Sequence, residues 1–140
     1  MIKKILFSIL IIGLVIGAYA YFFMYHKSHP DYENLEVEMS IGAQELFHQC
    51  KNEGRAVEYT GKTLEIFGIP QELESYDSLM TLIFVYDQGM FGAEGVRVTF
   101  LPKFNEKLSD LELNTEMRIK AFCTGYNDSD VVLEKASFIQ

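Results

Sequence analysis

The feature that most constrains this chain is an uncharged, apolar run near its N-terminus. Residues 5–25, 21 in all, contain no charged side chain and only one serine, Ser8. As an α-helix this run would be about 32 Å long, at 1.5 Å per residue. The hydrocarbon layer of a bilayer is about 30 Å thick. The sequence therefore predicts a transmembrane helix over residues 1–25, with the membrane contacted through residues 5–25.

The flanking residues predict the orientation of this helix. Lys3 and Lys4 precede the apolar run, and basic residues are retained on the cytoplasmic side. Aromatic side chains, which favour the headgroup region, crowd the other end; these are Tyr19, Tyr21, Phe22, Phe23 and Tyr25. We expect a cytoplasmic N-terminus and a C-terminal part outside the cytoplasm, in the periplasm or on the cell surface.

A cleaved signal peptide is the alternative for the same segment. Ala18-Tyr19-Ala20 has the small-x-small pattern that precedes signal-peptidase cleavage. However, the apolar run continues five residues beyond Ala20, which favours an anchor that is retained. Both interpretations export the remainder of the chain, which we divide into a polar linker over residues 26–39 and one domain over residues 40–140.

The charge of the chain is unevenly distributed. Three of its 12 basic residues and none of its 20 acidic residues precede residue 31, so the remainder has 9 basic and 20 acidic residues, a net charge of −11. Such a domain repels phosphate backbones and anionic headgroups. Nucleic acid is therefore a disfavoured partner on charge alone.

Periodicity in the domain predicts a mainly β structure with two helices. Ser40 is a plausible N-cap for an amphipathic helix whose apolar face contains Ala43, Leu46, Phe47 and Cys50. A second helix is expected to begin at Pro102. Alternating or buried apolar segments predict five strands, which are residues 63–67, 79–86, 96–101, 117–123 and 131–139. Five strands with a helix between the third and fourth predict an OB-fold, a small Greek-key barrel.

Several segments resemble a family of bacterial membrane-anchored OB-fold proteins called tRNA-anti-like. The resemblance includes the basic-apolar leader and the helix around residues 43–50. It also includes Tyr59-Thr60-Gly61-Lys62 before the first strand and the segments 95–100, 120–125 and 130–133. It implies an OB-fold placed outside the cytoplasm, and these turn glycines and strand residues imply no catalytic role.

The sequence contains no convergent set of catalytic or metal-binding side chains. Gly89 to Gly95 lacks the Lys-Ser/Thr ending of a phosphate-binding loop, and His48 is the one histidine of the predicted domain. We therefore expect neither an enzyme nor a cofactor or metal site. Cys50 and Cys123 fall on apolar faces, where they are either buried thiols or a disulfide that joins the first helix to the barrel.

Binding is the usual role of an OB barrel, through strands two and three and the loops beside them. Met90 and Phe91 lie in a glycine-rich hairpin, either exposed as a partner surface or with Phe91 folded back on the barrel. The candidate binding residues on this face are Tyr76, Tyr86, Met90, Phe91, Arg97 and Tyr126. The sequence thus predicts a tethered, non-catalytic module for a protein, peptide or envelope component, with a nucleic-acid-binding domain as the alternative.

Overall fold

The computed structural model describes residues 1–25 and 31–139. It separates into two compact units, residues 1–30 and residues 31–140. Residues 26–30, the first part of the predicted linker, lie outside the described residues.

The first unit is a single helix, α1, over Ile2–Tyr25. None of its side chains is buried, so its apolar surface has no protein partner within the unit. Its hydroxyl-bearing residue Ser8 donates to the Lys4 carbonyl oxygen at 3.0 Å, which satisfies that polar group within the helix. By length and composition α1 is able to span a membrane, and a signal sequence near an N-terminus meets the same description.

The second unit is built on one sheet of seven strands. The strand order is β1-β2-β6-β7-β5-β4-β3, with β1–β2 and β5–β7 parallel and the other neighbours antiparallel. The strands are β1 (Met39–Gly42), β2 (Thr63–Gly68), β3 (Glu72–Tyr76), β4 (Leu79–Gly89), β5 (Gly92–Phe100), β6 (Met117–Tyr126) and β7 (Val131–Phe138). The prediction of a mainly β domain is confirmed, but the five-stranded closed barrel is wrong, because the seven strands form one open sheet.

The two extra strands have identifiable causes. Pro70, which has no amide hydrogen, interrupts the segment after β2, so β2 pairs with β6 whereas β3 pairs with β4. The Pro70 carbonyl oxygen accepts from the Asn114 amide at 2.9 Å, and this bond fixes the corner. At the other edge, Met39–Gly42 pairs with β2 in parallel. Ser40 therefore belongs to a strand and is not the N-cap of the next helix.

Helices pack on this sheet at the predicted places. Helix α2 spans Ala43–Asn52, follows Gly42 as its N-cap and buries its apolar face, as predicted. A short helix α3 (Ala56–Tyr59) follows, and the Tyr59 hydroxyl donates to the side-chain oxygen of Gln49 on α2. Between β5 and β6, a 3₁₀ turn over Pro102–Phe104 leads into α4 (Asn105–Ser109), which confirms the predicted intervening helix.

Residues 31–38, assigned by sequence to the linker, contact the sheet. The Tyr32 ring lies edge-on to Phe122, with 5.6 Å between ring centroids. Lys120 donates to the carbonyl oxygens of Glu33 and Leu35. The Glu38 amide donates to the Thr63 carbonyl oxygen at 2.9 Å. These contacts align the segment that leads into β1.

The core is formed by apolar side chains of the helices and of the strands on which they pack. Its largest fully buried side chains come from β4, β5, β2 and α2 and include Phe84, Phe100, Leu64, Ile66 and Leu46. Burying one such side chain contributes roughly 1.5–3 kcal/mol. The core therefore holds β4 and β5, and with them the hairpin that connects the two strands, in a fixed position.

Candidate functional site

The most exposed apolar feature of the domain is the tip of the β4–β5 hairpin. Strands β4 and β5 extend to Gly89 and Gly92, which leaves only Met90 and Phe91 between them. The two side chains, called the hairpin tip below, are 94% and 98% exposed. Of the two conformations considered from sequence, the structure has the exposed one. Phe91 does not fold back on the sheet.

The base of this hairpin is braced by a cluster of charges. The Lys51 ammonium group on α2 contacts the Asp87 carboxylate at 2.7 Å and also the Glu94 carboxylate. Hydrogen bonds to Asp87 and then Glu94 raise the pKa of Lys51, and the same Lys51 bond lowers the pKa of Asp87. Asp87 and Glu94 are Cα partners across the hairpin. The cluster therefore ties both strands of the hairpin to α2.

Arg97 lies on β5 beside this hairpin and is held by two carboxylates. Its Nη1 atom is 2.9 Å from Glu74 Oε2 and its Nε atom is 3.0 Å from Asp130 Oδ2. Burial lowers the pKa of Arg97, but the hydrogen bonds to Asp130 and Glu74 outweigh burial and raise it. The charge of Arg97 is thus compensated within the protein, and its position is fixed.

Asp130 connects the loop before β7 to β5. Its side chain is buried, and its Oδ1 atom accepts from the Gly95 amide at 2.9 Å. The Asn127 side chain in turn accepts from the amides of Ser129 and Asp130, which shapes the loop. A shallow cavity of about 340 Å³ lies here, and Phe91, Arg97 and Asp130 are among its lining residues. The sequence patterns did not predict a site role for Asp130.

The six predicted binding residues fall into separate groups. Met90, Phe91 and Arg97 lie at one end of β4 and β5, and Tyr126 begins the loop that leads to Asp130. Tyr76 is 85% exposed but pairs with Leu79 at the opposite end of β4. Tyr86 lies in a different cavity, and burial raises its pKa to about 12. The predicted face is therefore divided, with four residues at the hairpin end.

The cavity that contains Tyr86 was not predicted. It measures about 740 Å³ and lies between the start of α2 and the corner after β2. We call it the α2 cleft. We call the apolar and glycine residues of its lining the floor, namely Gly42, Ala43, Phe67, Gly68 and Ile69. We call the polar residues of its lining the rim, namely Gln44, Glu45, His48, Gln71, Tyr86 and Glu116.

Basic side chains on the domain are mostly engaged by acidic ones. Among residues 31–139, five of the nine lysines and arginines form salt bridges with carboxylates, namely Lys51, Arg55, Arg97, Lys103 and Arg118. Lys120 instead donates to backbone carbonyls. No continuous track of free positive charge remains on the strands that carry Arg97 and Arg118.

The two cysteines are free thiols in the structure. Cys50 and Cys123 are 4% and 1% exposed. Burial raises the pKa of each thiol to about 11, and for Cys50 the proximity of Cys123 adds to this effect. Over the described part of the chain, no group of three or more His, Cys, Asp or Glu side chains is arranged to hold a metal ion.

Together these features describe a small, mainly β domain that follows an apolar N-terminal helix in the chain. The chain belongs to the tRNA_anti-like family, whose family model matches residues 1–138. This assignment confirms the resemblance noted from the sequence. No curated protein matches the chain in sequence.

Solved structures with a similar fold share little sequence with this chain. A lipoprotein from Klebsiella pneumoniae, provisionally described as nucleic acid-binding, has a TM-score of 0.52 and 13% identity, with 81% of this chain and 100% of that chain covered. A protein from Leishmania major, provisionally described as an aspartyl-tRNA synthetase, has a TM-score of 0.49 and 12% identity, with 82% of this chain but 22% of that chain covered. At this level of identity the first likeness indicates a shared fold.

Proposed function

We propose that this chain is a non-catalytic binding module, tethered to a membrane by α1 and located outside the cytoplasm. It binds a protein, peptide or other envelope ligand through the hairpin tip and the adjoining Arg97 and Tyr126. The observation that carries this proposal is the near-complete exposure of Met90 and Phe91 on a hairpin that salt bridges brace. Exposed apolar clusters on otherwise polar surfaces are typical of interaction sites.

The salt bridges of Lys51 with Asp87 and Glu94 distinguish this hairpin from an ordinary mobile loop. A ligand that binds a preorganised surface does not have to offset the entropy of ordering it. The Lys51 cluster fixes both strands at the base, and Asp130 fixes β5 at Gly95, the residue that follows Glu94 of the cluster. The apolar tip is therefore presented by a rigid support, as a binding surface requires.

Site-specific photocrosslinking tests the binding surface. A photoreactive phenylalanine analogue is placed at residue 91 in the full chain in its native membrane, with a matched chain that carries it at Val57, which is 86% exposed. We expect a discrete crosslinked product from residue 91 that is lost in a Met90→Ser background. Equal amounts of crosslinked product from residues 91 and 57, or no product from residue 91, would show that the hairpin tip is not a binding surface.

Reporter fusions test the membrane arrangement. Lys3 and Lys4 before α1 support a cytoplasmic N-terminus. Alkaline phosphatase, which is active only outside the cytoplasm, should be active when fused after Gln140, whereas a reporter active only in the cytoplasm should be inactive. Protein sequencing of the membrane fraction will show whether the chain begins at its own N-terminus or after Ala20. The reverse pattern of reporter activities would disprove the tethered arrangement.

Nucleic acid is the second candidate ligand, supported by the description of the Klebsiella lipoprotein as nucleic acid-binding. Single-stranded nucleic acid requires stacking aromatic residues and a basic groove. Here the two arginines on the strand faces, Arg97 and Arg118, are paired with Glu74, Asp130 and Glu65. This pairing is why we rank nucleic acid second.

A mobility-shift experiment separates the two candidates. Single-stranded DNA and RNA are incubated with the full chain at low salt. We expect no shift. Binding that weakens with salt and is lost in an Arg97→Ala, Arg118→Ala double variant would instead establish the nucleic-acid function, since phosphate contacts give a salt-dependent affinity.

A further inference from the structure

The α2 cleft is a concave surface that is separate from the hairpin tip. Its volume of about 740 Å³ is within the roughly 300–1,000 Å³ typical of small-ligand sites. Two glycines form part of its floor. A Cβ atom built on Gly42 would meet the Phe67 ring at 3.4 Å, and one on Gly68 would meet the Tyr86 hydroxyl at 3.0 Å. A side chain at either position would therefore press on residues that line the cleft.

The floor and one polar atom favour an organic ligand. Phe67 and Ile69 give the floor apolar surface, and Ile69 is 46% exposed. The Tyr86 hydroxyl has no hydrogen-bond partner among the described residues, and burial alone raises its pKa. Gln71 is already used, because its side-chain oxygen accepts from the Val85 amide at 2.7 Å. The cleft thus offers an apolar surface beside a free hydroxyl group.

The charge of the rim residues determines the sign of the charge that a ligand of the cleft should carry. Glu45 and Glu116 line the cleft, and its lining within the described residues has no lysine or arginine. Glu45 lies in the first turn of α2, where a carboxylate compensates the positive end of the helix dipole. Glu116 has no ion-pair or hydrogen-bond partner in the described part of the chain. Its charge is therefore available to a ligand.

Arg118 contacts Phe67 in the floor of the cleft, but it does not neutralise the charge of Glu116. The Arg118 guanidinium carbon is 5.5 Å from the Phe67 ring centroid, but Arg118 is ion-paired with Glu65 at 2.9 Å. We propose that the α2 cleft binds a small organic cation, an ammonium or guanidinium group on an apolar body, with Glu116 as its counter-charge and Phe67 and Ile69 under its apolar part. This site goes beyond the proposed function and does not depend on it.

The probes are 2-phenylethylamine, the neutral 2-phenylethanol and the anionic phenylacetate, which share one apolar body. The full chain is labelled with ¹⁵N-glycine and placed in phosphatidylcholine nanodiscs. Its 10 glycines include Gly42 and Gly68 in the cleft and Gly89 and Gly92 beside the hairpin tip. Empty nanodiscs correct for partition of each probe into lipid.

We expect the amine to shift the Gly42 and Gly68 resonances and to bind about fivefold more tightly than the alcohol, the ratio given by a ~1 kcal/mol exposed ion pair. Phenylacetate should bind more weakly than both. Glu116→Gln should remove the advantage of the amine without weakening the alcohol. Glu112 is an exposed carboxylate that does not line the cleft. The matched control Glu112→Gln should therefore change the affinity of neither the amine nor the alcohol.

A blocking variant tests the location. Gly42 has backbone dihedrals of φ −64° and ψ 140°, which any residue adopts, and a Cβ atom there meets the Phe67 ring at an ordinary contact distance of 3.4 Å. We therefore expect Gly42→Leu to fold and to place its side chain against Phe67. It should abolish binding of all three probes. Equal affinities for the three probes, a preference for phenylacetate, shifts confined to Gly89 and Gly92, or unchanged binding in Gly42→Leu would each overturn the proposal. We expect these variants to leave crosslinking from residue 91 unchanged. The test of the α2 cleft and the test of the hairpin tip therefore have independent outcomes.

Discussion

Replacement of Asp130 by alanine tests how the hairpin end of the domain is held together. The buried Asp130 carboxylate accepts from the Gly95 amide at 2.9 Å and from Arg97 Nε at 3.0 Å. A hydrogen bond to a charged group contributes roughly 1.5–3 kcal/mol, and the Gly95 amide would be left buried without a partner. Arg97 is about one-third exposed, so solvent screening reduces its share to about 1 kcal/mol. We expect Asp130→Ala to destabilise the domain by about 3 kcal/mol.

Asp130→Asn separates the two contributions. Its side-chain oxygen still accepts from Gly95, whereas the ion pair with Arg97 is lost, so we expect a destabilisation of about 1 kcal/mol. Asp110, an exposed aspartate at the end of α4, provides the control, because Asp110→Ala removes no side-chain hydrogen bond that the structure records. Its effect should lie within about 0.5 kcal/mol.

Pulse proteolysis of the full chain in urea measures these differences. With a urea slope of about 1.5 kcal/mol/M, Asp130→Ala should lower the midpoint by about 2 M and Asp130→Asn by less than 1 M. Equal midpoints for Asp130→Ala and Asp110→Ala would show that Asp130 does not connect the loop to β5. A loss in Asp130→Asn as large as in Asp130→Ala would show that the bond to Gly95 contributes little.

Three further predictions concern other parts of the domain. A Cβ atom at Gly95 would lie 1.7 Å from the Phe84 carbonyl oxygen, so Gly95→Ala should destabilise the fold by about 3 kcal/mol or more and give insoluble protein on expression. Met90→Ser with Phe91→Ser should change the urea midpoint by an amount equivalent to less than about 0.5 kcal/mol, because both side chains are exposed; a large loss would mean that the tip supports the fold. Since burial raises the pKa of Cys50 and Cys123 to about 11, folding favours their protonated forms, and the stability they contribute is complete below pH 9 and lost as the pH rises towards 11. Urea midpoints measured at pH 7, 9 and 10.5 should therefore fall only in the last interval, and a fall between pH 7 and 9 would contradict the burial of the thiols.

The elements that the sequence predicts are those with an apolar side facing the core. Helix α2 repeats apolar residues at helical spacing, and all four of these residues are buried. In β6 the burial alternates through Ile119, Ala121 and Cys123. Such patterns are visible in sequence because one partner, the core, selects every second residue of a strand or one face of a helix.

Strand β3 could not be predicted by this reasoning. Four of its five residues are exposed, and its outer positions include Glu72 and Glu74. An edge strand with both faces near solvent has no apolar alternation. Its existence depends on backbone pairing with β4 and on the two-residue turn at Asp77 and Ser78, whose φ angles are 47° and 64°. The same limitation applies to β1, which is four residues long.

The candidate sites divide in a similar way. The tight turn at Met90 and Phe91 follows from local sequence, because flanking glycines permit it. Local sequence did not decide whether Phe91 is exposed or folded back on the sheet, and the structure shows that it is exposed. The contact between Arg97 and Asp130 joins residues 33 positions apart, and local spacing does not predict such a pair. The α2 cleft is defined by missing side chains at Gly42 and Gly68, which lie on different strands. No local sequence motif indicates a cavity that depends on the absence of side chains.

The pairing of β2 with β6 determines when this domain is able to fold. Thr63 lies opposite Phe122, and Val96 on β5 lies opposite Val131, so the sheet is joined only when its final two strands are present. Pairings over such sequence distances make folding slow, because the ends of long loops must meet first. A nascent chain emerging from the ribosome therefore carries no completed sheet until β6 and β7 have been made. Until that point the β1–β2 part and the β3–β5 part of the sheet lack the two strands that join them.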